Sequence, residues 1–351
     1  MAGRFGYEID GYRFAPEDFL PAGVIDTIVE IRVENPDLIR QAAQARKRRP
    51  ALTRDGKLTI LATDHPARMV TRVGDNPLAI GDRHALLARV ARVLTDPGVD
   101  GVMATPDIVE ELLVLDYLVQ EAGGPSFLDE KVILGCMNRG GLAGVSFEMD
   151  DTMTAYTPDS IAEMGLDGAK LMFRLDPENP DSGRTIMYCV EAINELVDLG
   201  IPAFLEALMV RRAEGKYKTL KQAEALIKVV GVASGLGKSS AYTWLKIPYC
   251  EGYEKVARAT TCPILMLGGE STGDPTGILE EFAAGMRAGA AVRGALVGRN
   301  VTFPGNDDPR AVAVAVNEIV HRGLDAEAAT KVLMDTRGRD MDAITRYLGG
   351  R

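Results

Sequence analysis

The sequence predicts an α/β chain folded as one (β/α)8 TIM barrel with an N-terminal extension and C-terminal helices, and three observations carry that reading. Eight apolar, strand-like runs alternate with eight amphipathic helical stretches. The runs are continuously apolar, as strands of a parallel sheet covered on both faces are. The series extends from residue 58 to residue 321, close to the typical length of about 250 residues for such a barrel. A doubly wound sheet would place a glycine-rich turn after its first strand, and Leu61-Ala62-Thr63-Asp64-His65-Pro66 is not one.

In chain order, residues 1–50 read as an extension and a leading helix, 51–323 as the barrel and 324–351 as C-terminal helices. Within the extension, the apolar patch at 24–31 suits a capping strand or a short helix, and 36–49 a helix entering the barrel. Its basic end, Arg46-Lys47-Arg48-Arg49, reads as a solvated helix terminus favoured by the macrodipole. Strands are expected at 58–64, 101–105, 132–137, 168–175, 203–209, 242–247, 264–268 and 294–298. Gly and Pro punctuation separates them from helices at 82–95, 107–122, 158–164, 185–199, 219–234, 251–259, 276–288 and 309–321. Two further helices follow at 326–334 and 340–348.

Composition narrows the function. Of 351 residues, 46% are hydrophobic, enough for a large core. The formal net charge of -10 is the wrong sign for a nucleic-acid binder. No run approaches the roughly 18 apolar residues of a membrane span, and no secretory apolar segment opens the chain, so no membrane partner and a cytoplasmic location are expected. Cys136, Cys189, Cys250 and Cys262 form no C-x-x-C pair and are expected as reduced, buried thiols. His65, His84 and His321 lie in distant segments, and neither a metal nor an organic cofactor is expected. Gly235-Leu236-Gly237-Lys238-Ser239-Ser240 imitates a phosphate loop, but Val232 stands where the motif needs glycine, and the segment runs from helix to strand, the wrong order.

Functional groups in this fold come from the C-terminal ends of the strands and the loops that follow. Those positions hold Asp64, Thr105, Asn138 with Arg139, Lys170, Glu206, Lys246, Gly268 to Ser271, and Gly298 with Arg299. Two lysines inside apolar strands need a reason, because a buried ammonium is costly unless it is paired or has its pKa lowered to serve as an amine nucleophile. Lys246, desolvated beside a second cation, is the expected imine-forming group. Lys170 is that second cation or a ligand for a substrate oxygen. Glu206 suits a proton shuttle, and Asp64 would orient Lys246 or a substrate hydroxyl. The structural alternative is a network in which the two carboxylates only neutralise the lysines.

The last two strands end in glycine. Gly268, Gly269 and Ser271 after one, and Gly298 with Arg299 after the other, match the usual phosphate site of the fold, with Arg299 supplying a bidentate fork. Asn138, Arg139, Arg174 and Arg68 are further candidates for a second anionic group. A sugar phosphate is the expected ligand. Two other classes stay open: a metal-dependent lyase or isomerase with Asp64 and Glu206 as oxygen ligands, and a non-catalytic sugar-phosphate sensor retaining Arg299 and the glycines.

Across 58–305, the order Asp64, Lys170, Glu206, Lys246, Gly268-Gly269 and Gly298-Arg299 resembles the class I, Schiff-base aldolases of the tagatose-bisphosphate, sulfofructose-phosphate and archaeal-type fructose-bisphosphate group. The resemblance implies that Lys246, on the sixth strand, forms the imine. It carries the fourth-strand lysine onto Lys170, the fifth-strand glutamate onto Glu206 and the first-strand aspartate onto Asp64. Gly294-Ala295-Leu296-Val297-Gly298-Arg299-Asn300-Val301 is similar to the group's final phosphate turn, whereas Glu270 replaces a small neutral residue expected beside it. Deoxyribose-phosphate aldolase, a related barrel, matches less well because 264–268 lacks its assisting lysine. Class II aldolases match less well again, for want of a histidine cluster. The long N-terminal extension looks closest to a bacterial subgroup associated with inositol catabolism. That likeness implies cleavage of 2-deoxy-5-keto-gluconate 6-phosphate to dihydroxyacetone phosphate and malonate semialdehyde, the alternatives being tagatose or fructose bisphosphate and deoxyribose phosphate. The terminal extensions are plausible interface elements, and a homo-oligomer is expected.

Overall fold

In the computed structural model, which describes residues 3–139 and 142–349, eight parallel strands close into a barrel. They are β1 (Leu58–Ala62), β2 (Gly101–Ala104), β3 (Val132–Cys136), β4 (Gly168–Leu175), β5 (Ala203–Ala213), β7 (Thr243–Pro248), β8 (Ile264–Leu267) and β9 (Val292–Val297). The ninth strand, β6 (Lys216–Thr219), folds back antiparallel on the far end of β5 and stands outside the ring. Closure comes from the β1–β9 and β4–β5 pairings. The predicted TIM barrel is therefore the fold observed.

Alternation along each strand divides the core in two. One set of side chains, including Leu58, Ile60, Val132, Leu134, Phe204, Leu265 and Leu296, fills the barrel interior. The opposite set packs against the surrounding helices, among them Arg83–Leu94, Pro106–Glu121 and Pro309–Arg322. The interior parity matters for the site, because Asp64, Glu206, Lys246 and Gly298 continue it from Ala62, Phe204, Trp244 and Leu296. Among the described residues, no helix is long and apolar enough to cross a membrane. All four cysteines are free and buried.

The structure departs from the sequence reading at several places. Of the two readings of the patch at 24–31, the strand is not formed and the helix is, extended to Gly23–Glu34. Of the C-terminal stretch 340–348, only Thr345–Leu348 is helical. The leading helix, Asp37–Ala45, stops before the basic run, of which only Lys47 and Arg48 are solvated as expected. Arg46 turns extended and, with Arg49, is buried against the amino ends of the strands. Arg46 pairs with Asp167 at 3.0 Å and Arg49 with Asp100 at 2.9 Å. These aspartates immediately precede β4 and β2, and a carboxylate buried there needs a cation more than the arginines need water. A second anchor ties both termini to the barrel. Asp308 receives the fully buried Arg92 through two bonds of 3.0 and 2.6 Å, while Asp307 accepts Tyr7 Oη at 2.8 Å and Arg337 Nε at 2.7 Å.

His321 completes the basal network, with Nε2 at 2.9 Å from Asp100 and Nδ1 at 2.9 Å from Asp55. Burial opposes its protonation, but the bonds to Asp100 and Asp55 outweigh this and raise its pKa. The resulting stabilisation is fully present below the ordinary histidine value and is lost as pH rises through the raised one. Denaturant melts between pH 6 and pH 9 are expected to show the difference in stability between the wild type and His321→Gln, about 1–3 kcal/mol at pH 6, shrinking as pH rises. A constant difference across that range would contradict the assignment.

Candidate active site

Four charged side chains form a continuous chain across the upper barrel interior. Lys170 Nζ lies 2.9 Å from Asp64 Oδ2 and 3.1 Å from Glu206 Oε2, and Lys246 Nζ lies 2.9 Å from the same Glu206 oxygen. Strand register produces this: Glu206 is the direct β-partner of Lys246, and Lys170 is that of Phe204, two residues below Glu206 on the same face. Lys170 is fully buried, whereas Lys246 is 5% exposed and reaches the wall of a cavity.

Burial by itself would keep both carboxyls protonated. For Asp64 the Lys170 ammonium and then Arg68 outweigh it, holding the carboxyl well below the usual range. For Glu206 the ammoniums of Lys246 and Lys170 do the same, bringing it down to about 2. Lys170 is correspondingly held above the ordinary lysine value, since Asp64 and Glu206 outweigh its desolvation. Lys170 is therefore a fixed cation, and Lys246 is the lysine of the pair that a molecule in the cavity can touch.

The cavity, of about 670 Å³, opens at the carboxyl ends of the strands and is lined by Asp64, Glu206, Lys246, Gly268, Gly269, Gly298 and Arg299 among the sequence-predicted residues. Other predicted residues stand elsewhere. Asn138 is fully buried, its amide bonded to the Met172 backbone on both sides (2.8 and 2.6 Å), so it locks β3 to β4. Arg139 donates to Thr154 Oγ1 at 3.1 Å, and Arg174 is engaged by the Glu148 carboxylate. The Ser271 hydroxyl donates to the Phe303 carbonyl at 2.6 Å. It lines an adjoining cavity with Met69, Arg72, Glu270 and Arg299.

Two contributors were missed, and a third, Arg68, was expected only among the candidates for a second anionic group. It lines the cavity, and its Nε is buried without a hydrogen-bond partner among the described residues, as are Arg299 Nε and Asn300 Oδ1. Unpaired buried polar atoms grouped at one wall are what a bound polar ligand would satisfy. His65 also lines the wall. Burial, opposed by Asp64 but reinforced by Arg299, Arg68 and Lys246, lowers its pKa to about 3, so the ring is neutral at neutral pH. A β-carbon at Gly298 would lie 2.9 Å from His65 Cε1, so only glycine lets this ring approach the turn. Finally, the β5–β6 hairpin overhangs the mouth with Tyr217 and Thr219. Its two-residue turn, Glu214-Gly215, has positive φ at both positions (53° and 77°), a local signal that the sequence carried.

Among the described residues, no group of three or more His, Cys, Asp or Glu side chains is arranged to hold a metal ion. Asp64 and Glu206 each face a lysine ammonium instead. The arrangement presents a reachable amine, a carboxylate beside it, a fixed cation behind, and two arginines lining the same cavity as the glycine turns.

An eight-stranded barrel with a charged chain opening at the carboxyl ends of its strands defines the class of molecule, and comparison narrows it. The chain belongs to the Cgl0159-like family, whose match spans residues 56–320. The crystal structure of Cgl0159 from Corynebacterium glutamicum is 36% identical, with 87% of this chain and 99% of that one covered and a TM-score of 0.80. A Schiff-base-forming fructose-1,6-bisphosphate aldolase is 20% identical, over 81% of this chain and 100% of that one, with a TM-score of 0.54. The fructose-bisphosphate aldolase from Slackia heliotrinireducens is 13% identical, over 93% and 97%, with a TM-score of 0.59. The two aldolase likenesses speak to the fold. No curated protein matches the chain.

Removing the central cation tests the electrostatics. Lys170→Met leaves Asp64 and Glu206 buried without it, and a loss of about 3–5 kcal/mol at pH 7 is expected. Because the carboxyls then ionise less readily, the penalty relative to wild type should diminish as pH falls from 7 to 4 in denaturant melts.

Proposed function

We propose that this protein is a class I aldolase that cleaves a phosphorylated ketose through an imine on Lys246. The observation that carries the reading is the Lys246–Glu206–Lys170–Asp64 chain, with its one cavity-facing amine. The likeness of the barrel fold to two fructose-bisphosphate aldolases supports the same reading.

In this mechanism Lys246 gives its ammonium proton to Glu206 and attacks the ketone carbon as a neutral amine to form a carbinolamine; Glu206 returns the proton to the carbinolamine hydroxyl, which leaves as water, giving a protonated imine. The imine is an electron sink. Glu206 takes the proton of the hydroxyl on the carbon beyond the scissile bond; that bond breaks, its electron pair moves into the imine, and an aldehyde leaves. The remaining enamine is protonated at carbon, and water hydrolyses the resulting imine, regenerating Lys246. Charge balance times the proton transfers. Glu206 is a weak base while two cations face it, and loss of the positive charge on the Lys246 nitrogen, on passing from imine to enamine, raises its proton affinity when it must collect a proton. The fixed Lys170 offsets the repulsion between Asp64 and Glu206 throughout.

The wall formed by Arg68, Arg299 and Asn300, which lines the same cavity as Lys246, receives a phosphate carried on the carbon next to the ketone. The substrate we favour is 2-deoxy-5-keto-gluconate 6-phosphate, releasing dihydroxyacetone phosphate and malonate semialdehyde. Its remote carboxylate asks for less positive charge at the far end than a second phosphate would, and Arg139 and Arg174 are already engaged by Thr154 and Glu148.

Borohydride reduction in the presence of dihydroxyacetone phosphate is expected to place a stable adduct on Lys246, read by peptide mass spectrometry. Lys246→Ala should lose the adduct and turnover, and Glu206→Gln should lower kcat by about 10²–10⁴-fold. Turnover by Lys246→Ala at the wild-type rate would sink the mechanism. Condensation assays offering malonate semialdehyde or glyceraldehyde 3-phosphate as the acceptor separate the substrates. Glu270, 84% exposed, holds Arg299 Nη1 at 3.3 Å and competes with an incoming anion. Glu270→Gln is therefore expected to tighten binding of dihydroxyacetone phosphate by up to about fivefold, as measured by calorimetry.

A further inference from the structure

We infer that Lys221, delivered by the β5–β6 hairpin, is a third cation of the anion-binding wall and makes that wall selective for a phosphate dianion. The inference rests on the phosphate-binding reading above and extends it to a residue outside the barrel strands. Lys221 lines the same cavity as Lys246, and its ammonium stands over the glycine turn: a β-carbon at Gly269 would lie 3.6 Å from Lys221 Nζ. Gly269 lacks that carbon, so the ammonium faces the turn's backbone directly.

The backbone holding Lys221 is fixed although its side chain is exposed. Leu220 N donates to Met209 O at 2.8 Å, closing the hairpin onto β5, and the helix Ala223–Ser234 begins two residues later with Leu226 buried. The hairpin register, Val210 opposite Thr219 through Ala213 opposite Lys216, sets where residue 221 emerges. Among the described residues, no carboxylate lies within 4.0 Å of Lys221 Nζ; Glu281, also on the cavity wall, feels the lysine's charge without pairing with it. The other cavity lysine on the hairpin, Lys218, is held by Glu214 at 2.6 Å.

Charge explains the need. Glu270 neutralises part of Arg299 in this structure, and Asp274, also on the rim, is occupied in accepting Thr276 N at 2.8 Å. Arg68 and a half-neutralised Arg299 fall short of a phosphate dianion. Lys221 makes up the difference from the opposite side of the turn, so that a phosphate seated between Gly269 and Gly298 is met from two directions. A carboxylate, with one charge and a planar head, gains less from the third contact.

The test is calorimetric titration with inorganic phosphate, run on the wild type, Lys221→Met and Lys216→Met, the last an exposed lysine on the same hairpin that does not line the cavity. Lys221→Met is expected to weaken phosphate binding roughly tenfold, while Lys216→Met leaves it unchanged. In turnover, Lys221→Met should raise KM with little change in kcat, the mark of a binding contact. Equal phosphate affinity in Lys221→Met and wild type, or an equal loss in both lysine variants, overturns the inference. Absence of phosphate binding by the wild type, with borohydride still trapping dihydroxyacetone phosphate on Lys246, overturns the anion wall while leaving the imine reading intact.

Discussion

The interaction on which the rest of the site depends is the shared Glu206 carboxylate oxygen, 2.9 Å from Lys246 and 3.1 Å from Lys170. Ionised groups so deep in a barrel survive only by mutual compensation, because each alone would carry several kcal/mol of desolvation. Asp64 closes the other end of the chain, so two anions and two cations alternate across the interior. This alternation leaves one amine, that of Lys246, at the boundary between the packed barrel and its cavity. Position in the chain of charges, more than the chemistry of either lysine, separates an enclosed cation from an amine that a ligand can reach.

The two ends of the barrel use charge differently. At the amino ends of the strands, Arg46, Arg49 and His321 satisfy Asp167 and Asp100, and the contacts seal the barrel floor. At the carboxyl ends, Arg68 and Arg299 retain buried Nε atoms without partners. The floor has an unpartnered atom too, Arg46 Nε, but its buried aspartates, Asp167 and Asp100, are each held by an arginine. The anchors at Asp307 and Asp308, which hold both termini against the barrel wall, are paired in the same way.

Much of this was legible in the chain. Continuous apolar runs at a regular β/α spacing specified a parallel barrel, and strand ends then had to be read for chemistry, which brought out Asp64, Lys170, Glu206, Lys246 and Arg299. The misreadings share a cause. Arg46 and Arg49 looked solvated because their partners, Asp167 and Asp100, lie more than fifty residues away in sequence. Asn138 and Arg174 sit at the right strand ends, yet Met172 and Glu148 occupy them, contacts that no local pattern announces.

The sequence by itself therefore determined the architecture and the identity of the charged residues on the inward face, because the period-two alternation of a strand and the cost of burying a charge are local properties. Only the tertiary structure decided which of those residues face one cavity. It brought Lys246 to the cavity wall and left Lys170 beneath it, drew His65 and Arg68 into the wall, and swung a hairpin over the mouth. Those outcomes depend on strand register around a closed ring and on the paths of loops between strands, both of which are set by contacts between residues remote in the chain.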